Sequence, residues 1–230
     1  GIFLSGSSSN SISANTITNN DDGIMLSSSS SNSISANNIT NNNYGFYLYH
    51  SLNNNSISAN NITNNGVGIH LYSFLNTSIS ANNITNNGRG IWLYSYSNNN
   101  SISANNITNN FYGIGLIYSS SNLICHNNFV GDTVQAQVTA SVNIWDDGYP
   151  SGGNYWSGYT GVDLYKGPNQ NVTGTDEIGD TPYTIDADNQ DKYPLINPWT
   201  PITDIASLVI RRPTNLTSYR TYNVTTDSWT

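Results

Sequence analysis

The apolar positions in the first 131 residues come in short alternating runs that repeat in phase. Gly-Ile/Phe-x-Leu occurs at Gly1, Gly23, Gly45, Gly68, Gly90 and Gly113, and Ser-Ile-Ser-Ala-Asn starts at Ser11, Ser33, Ser56, Ser78 and Ser101. The second motif recurs at intervals of 22, 23, 22 and 23 residues, and a degenerate copy follows as Ile124-Cys125-His126-Asn127. Apolar residues two apart, as in Ile24 and Leu26, are the signature of short strands. Clusters such as Asn41-Asn42-Asn43 and Asn64-Asn65-Gly66 supply turns and break helices. A fixed period of this length marks a solenoid whose repeats bury their apolar side chains only by stacking. A leucine-rich repeat needs more leucines and a helical return arm, so the pattern predicts an all-β, right-handed parallel β-helix of 22–23 residues per coil with a C-terminal capping region.

Four apolar columns form the expected core: Ile2/Ile24/Phe46/Ile69/Ile91/Ile114, Leu4/Leu26/Leu48/Leu71/Leu93/Leu116, Ile12/Ile34/Ile57/Ile79/Ile102/Ile124 and Ile17/Ile39/Ile62/Ile84/Ile107/Phe129. Asn15, Asn37, Asn60, Asn82, Asn105 and Asn127 form a fifth, polar column, expected to bond amide to amide along the axis as a structural ladder. Six coils at one strand spacing each give a rod segment of about 29 Å.

Composition sharpens this reading. Only 9% of residues are charged and 36% are apolar, against 16 Tyr and 5 Trp, so Asn, Ser, Thr and Gly carry most of the surface. No apolar run is long enough for a membrane span. A net charge of −8 with six Lys and Arg argues against nucleic acid. Asp21, Asp22 and Arg89 are the only formal charges of residues 1–131, so the composition changes near Gly131. Three segments follow: repeats 1–131, an acidic and aromatic cap module 132–199, and a tail 200–230 with a strand available for intersubunit contact. The single cysteine, Cys125, excludes an intrachain disulfide and reads as buried filler. Gly1 enters directly into a repeat, so the chain reads as processed or truncated.

The repeats resemble those of the NosD-like family of parallel β-helix proteins and of archaeal surface proteins, methanogen proteins in particular. Gly153-Asn154-Tyr155-Trp156-Ser157, Ile178-Gly179-Asp180-Thr181-Pro182-Tyr183 and Tyr193-Pro194-Leu195 resemble the terminal module of those proteins. The resemblance covers about residues 1–199 and implies an extracellular or cell-surface protein. Copper handling, associated with NosD itself, is not carried over, because His50, His70, His126, Cys125 and Met25 are scattered over different coils. Lyase and glycosidase β-helices share the architecture, but the one acidic pair on the coils, Asp21-Asp22, consists of sequence neighbours in a turn, and Arg89 has no partner. No catalytic residue is assigned, and the expectation is that the chain is not an enzyme.

Strand alternation places Phe3, Tyr47, His70 and Trp92 outward, with Tyr49, Tyr72 and Tyr94 beside them, as a contact stripe. Another solenoid, a glycan, or the chain's own C-terminal region are its candidate partners. Ten Asn-x-Ser/Thr sequons are candidate glycan acceptors: Asn38, Asn54, Asn61, Asn76, Asn83, Asn99, Asn106, Asn171, Asn215 and Asn223. Asn38, Asn61, Asn83 and Asn106 take one position per coil, for which the competing reading is simply a good turn-to-strand sequence.

In the cap module, Asp186-Ala-Asp188-Asn-Gln-Asp191 has the alternating carboxylates of a calcium loop, and with Asp176 and Asp180 it forms a candidate Ca²⁺ site, although the EF-hand glycine and glutamate are missing. No other cofactor is implied. Ile205 to Ile210 reads as a spare strand, and strand addition onto the first coil of the next copy would give a head-to-tail filament. The main expectation is a non-catalytic extracellular structural protein, self-associating head-to-tail or laterally and N-glycosylated. The alternatives are an adhesin or glycan-binding module, and a polysaccharide lyase or hydrolase.

Overall fold

The computed structural model describes residues 1–50, 54–201, 222–223 and 228–229. Contacts divide the chain into two units, Gly1–Trp199 and Thr200–Thr230. The first is a parallel β-solenoid of about six regular coils followed by a looser seventh turn, with no helix among the described residues.

Each coil carries one long and two three-residue strands. The long strands, Ile2–Ser5, Asp22–Ser27, Tyr44–Tyr49, Val67–Tyr72, Arg89–Tyr94, Tyr112–Ile117 and Val134–Thr139, form a seven-stranded sheet in sequence order. The Ser-Ile-Ser segments and Leu123–Cys125 make a six-stranded sheet; the Asn-Ile-Thr segments make a third with Thr16–Thr18, Asn128–Val130 and Tyr155–Trp156. Equivalent residues are in register throughout, so Ile69 lies between Phe46 and Ile91, and Ile84 between Ile62 and Ile107. The four apolar columns stack into one core, fully buried from the second coil on.

Two corners of each coil turn through a single left-handed residue. At one corner it is alanine, with Ala14, Ala36, Ala59, Ala81 and Ala104 at φ between 53° and 59°. A non-glycine residue in this conformation costs about 1 kcal/mol. The asparagine that follows each alanine offsets this cost by turning inward.

That asparagine begins a chain of bonds. Asn60 donates from both its backbone N–H and its Nδ2 to Asn82 Oδ1 at 3.0 Å, and Asn82 does the same to Asn105 at 3.0 and 2.9 Å. The second amide hydrogen goes back to a strand carbonyl, as from Asn82 Nδ2 to Ile57 O at 2.9 Å. The ladder runs from Asn15 through Asn37, Asn60, Asn82, Asn105 and Asn127 to Asn154. A second ladder, Asn20–Asn42–Asn65–Asn87–Asn110, ends on Asp132. A third column, which includes Asn32, Asn55, Thr77, Asn100, Asn122 and Asn143, ends on Asn189. Buried polar groups are costly unless satisfied, and nearly every one here is satisfied by the coil above or below.

Residues 132–199 do not form a separate body, although the composition changes there. Val134–Thr139 extends the long-strand sheet, Ile144 bridges to Leu123, and Tyr155–Trp156 pairs with Asn128–Phe129. The remainder folds over this last turn. Trp156 stacks on Phe129 at 4.3 Å and Tyr183 stacks on Trp156 at 4.4 Å, which covers the final core layer. In the second unit Tyr222–Asn223 pairs antiparallel with Ser228–Trp229, and the spare strand expected at Ile205–Ile210 lies outside the described residues.

Candidate functional site

The long-strand sheet turns its aromatic side outward. Parallel strands in register hold equivalent side chains about 4.8 Å apart, so their rings tilt and stack. Tyr49 and Tyr72 lie 5.3 Å apart, Tyr72 and Tyr94 5.6 Å, and Tyr47 and His70 5.4 Å; Tyr44 adds a ring 5.2 Å from Tyr47. Phe3 is 61% exposed and Tyr94 38%, while Tyr47, Tyr49, His70 and Tyr72 are half-buried by their neighbours.

Trp92 departs from the expected contact stripe. It is only 7% exposed, because its indole lies along the axis over Gly115 and the Arg89 guanidinium sits 4.4 Å above the ring. A Cβ at Gly115 would come within 2.2 Å of the indole. Gly115→Ala is therefore expected to cost about 2 kcal/mol through overpacking. The loss should shrink in the Trp92→Ala background; additive urea-unfolding losses would contradict the packing described.

His70 is also unlike a ligand. Both ring nitrogens are buried without a hydrogen-bond partner, and burial, then the Arg89 charge, pulls its pKa down to about 4, which keeps it neutral at pH 7. It packs between rings as the neutral imidazole.

Of the sequon asparagines, Asn38, Asn54, Asn61, Asn76, Asn83, Asn99, Asn106 and Asn171 are exposed. Asn38, Asn61, Asn83 and Asn106 open strands of one sheet and bond to one another, with Asn61 Nδ2 to Asn38 Oδ1 and Asn83 Nδ2 to Asn61 Oδ1 both 2.8 Å. Asn54, Asn76 and Asn99 sit on left-handed turns with φ of 70°, 48° and 57°. Asn215 lies outside the described residues, and only the backbone of Asn223 is described.

The five carboxylates of the candidate calcium site do not converge. Among the described residues no group of three or more His, Cys, Asp or Glu side chains is placed to hold a metal ion. Asp176 accepts from Gly167 N–H and Gln170 Nε2; Asp180 accepts from the N–H groups of Leu164 and Tyr165. Asp186 closes a turn by accepting from Asp188 N–H and Asn189 Nδ2, and Asp188 is exposed. The alternating acids tie loops through local backbone bonds, which is the commoner use of Asp in a turn.

Asp191 is the end of the first ladder. Its Oδ2 accepts from Asn154 N–H at 2.7 Å and Trp156 Nε1 at 2.9 Å, and its Oδ1 from Tyr193 N–H at 3.1 Å. Among the described residues no cation pairs with it, and burial pushes its pKa up to about 7 against the opposing effect of these bonds. Its stabilising contribution is therefore full below the unfolded pKa and falls away as pH rises through about 7.

A cluster absent from the sequence reading lies beside the last turn. Ser151 Oγ donates to Asp147 Oδ2 at 3.0 Å and lies 3.3 Å from His126 Nε2, while that nitrogen is 2.9 Å from the Ser151 carbonyl oxygen. A nucleophile triad needs the imidazole between hydroxyl and carboxylate. Here the hydroxyl proton goes to the carboxylate and Nε2–H to a carbonyl, so the serine has no base. Cys125 is buried next to it, its thiol pushed up to about 11 by burial first and then by Asp147, Asp191 and Asp146. It is the inert filler the sequence suggested.

A match to the family described as right handed beta helix region spans residues 1–173. This chain belongs to that family. No curated protein sequence matches it. A solved structure that it is similar to is the A-module of mannuronan C-5 epimerase AlgE6 from Azotobacter vinelandii, at 15% identity and a TM-score of 0.38, over 61% of this chain and 56% of that one. The matched part thus spans little more than half of the epimerase module.

Proposed function

We propose that this chain is a non-catalytic structural module of an exported or surface-displayed protein, a stiff rod that spaces or assembles other elements and carries N-linked glycans. The observation that carries this reading is the set of three axial columns, each running coil to coil and ending on a group supplied by residues 132–199. Buried side-chain chemistry is devoted to axial continuity, and the surface bears exposed sequons at eight described positions. The archaeal, NosD-like resemblance fits the same setting.

Labelling of intact source cells with antibody to the chain, with glycopeptide mass spectrometry of the released protein, tests the proposal. Surface labelling with glycan on the exposed sequons is expected. A protein confined to the cell interior and free of glycan would overturn it, and release of unsaturated sugars from polyuronides would replace it with a lyase.

Electron microscopy of the purified chain, with and without a chelator, addresses assembly. Filaments whose axial repeat matches one stacked unit, unchanged by chelation, are the expected form if copies self-associate. Dispersed short rods would favour an adhesin or glycan-binding module, for which the Tyr47–Tyr94 face is the contact side.

A further inference from the structure

The second ladder ends on a group that differs from those before it by a single atom. Asn42, Asn65, Asn87 and Asn110 each use Oδ1 to accept from the coil before and Nδ2 to donate back to a strand carbonyl, those of Ile17, Ile39, Ile62 and Ile84. One coil further on the position is Asp132. Its Oδ1 accepts from Asn110 N–H at 2.7 Å and Asn110 Nδ2 at 2.9 Å, as an asparagine's would. Its Oδ2 is buried with no hydrogen-bond partner.

The glycine column shows where that oxygen lies. A Cβ built on Gly45, Gly68 or Gly90 would meet the Nδ2 of Asn65, Asn87 or Asn110 at 3.3 to 3.4 Å, and one built on Gly113 would meet Asp132 Oδ2 at 2.9 Å. Oδ2 thus occupies the place of the ladder nitrogen. By the spacing of the four earlier bonds, the carbonyl it faces is that of Ile107. Two oxygens, both acceptors, would oppose one another in a buried site unless one carries a proton.

We propose that Asp132 is a proton-binding closure of the ladder: protonated on Oδ2, it donates to the Ile107 carbonyl as the asparagine amides do in the coils before it. The proton comes from solvent, and its loss leaves the two oxygens opposed. Burial raises the Asp132 pKa to about 6, and the only opposing influences are the two bonds from Asn110. Asn110 and Gly113 are the neighbours that meet the carboxyl, and no charged side chain contributes to the shift. A folded pKa above the unfolded one means that this contribution is complete below the unfolded value and is lost as pH rises through about 6.

Asp132→Asn tests this, because asparagine is the permanent form of the protonated state. Thermal melts of the full chain at pH 5 and pH 8 are the readout. The wild-type midpoint should fall on going to pH 8. The variant should fall less than wild type by the share that Asp132 supplies, because Asp191, which lowers the midpoint over this range, and His70, whose depressed pKa raises it, act on both proteins alike, and it should melt at or above wild type at pH 8. A carbon-13 titration of the Asp132 carboxyl should show a midpoint near 6. A variant less stable than wild type at both pH values, or a carboxyl midpoint near 4, would overturn the proposal.

Discussion

Asn82→Leu is expected to destabilise the rod by about 4–6 kcal/mol, a large part of a typical domain's stability. Leucine fills nearly the same volume, so the loss comes from hydrogen bonds alone. The substitution strands the Asn60 N–H and one Asn60 Nδ2 hydrogen and takes the amide donor away from the Ile57 carbonyl, all buried within the stack, while Asn105 Oδ1 loses one of its two donors and keeps the backbone N–H of residue 82. Each stranded group costs about 1–3 kcal/mol. The neighbouring Asn83→Ala is the control, because Asn83 is exposed and its bonds to Asn61 and Thr85 compete with water; about 0.5 kcal/mol or less is expected. Urea unfolding at constant pH compares the two. Equal small losses would mean that the ladder is decorative and the apolar columns alone hold the coils.

Trp156→Ala, at the C-terminal edge of the solenoid, is expected to be comparably severe. The indole is 1% exposed between Phe129 and Tyr183, and its truncation costs about 3–5 kcal/mol. It also removes a donor from Asp191, leaving a buried carboxylate with less to hold its charge. Stability should fall and the last core layer should become accessible to an apolar dye. Trp156→Phe restores the stack without the N–H and should cost about 1–2 kcal/mol. A Trp156→Ala chain that binds no dye and unfolds within about 1 kcal/mol of wild type would show that residues 132–199 do not close the solenoid.

The period of Gly-Ile-x-Leu and Ser-Ile-Ser-Ala-Asn made the coil and its four apolar columns legible, because in-register parallel strands convert sequence spacing directly into stacking. The ends were less legible. Asp132 follows Asn110 by the same 22 residues that separate Asn20 from Asn42, so its ladder role was present in the spacing. The change from amide to acid, together with the change in composition near Gly131, made it look like the start of a different region. Asn154 and Asp191 could not be found this way, since the insertions before them break the period. Asp186, Asp188 and Asp191 alternate like cation ligands, yet Asp191 is drawn into the core by Trp156 and Asn154 while Asp188 remains in water. Trp92 misled through alternation: a strand position directed outward is still buried when the next coil supplies a glycine for the ring to lie on.

Hydrogen exchange with mass spectrometry tests most directly whether the coils and residues 132–199 are one cooperative rod. The expected result is that peptides carrying Asn60, Asn82, Asn105, Asn127 and Asn154 exchange together, with protection near that of global unfolding. Fast exchange of residues 143–195 while the coils stay protected would contradict it. The ladders would then end without closure, and the rod would be no more than a stack of coils.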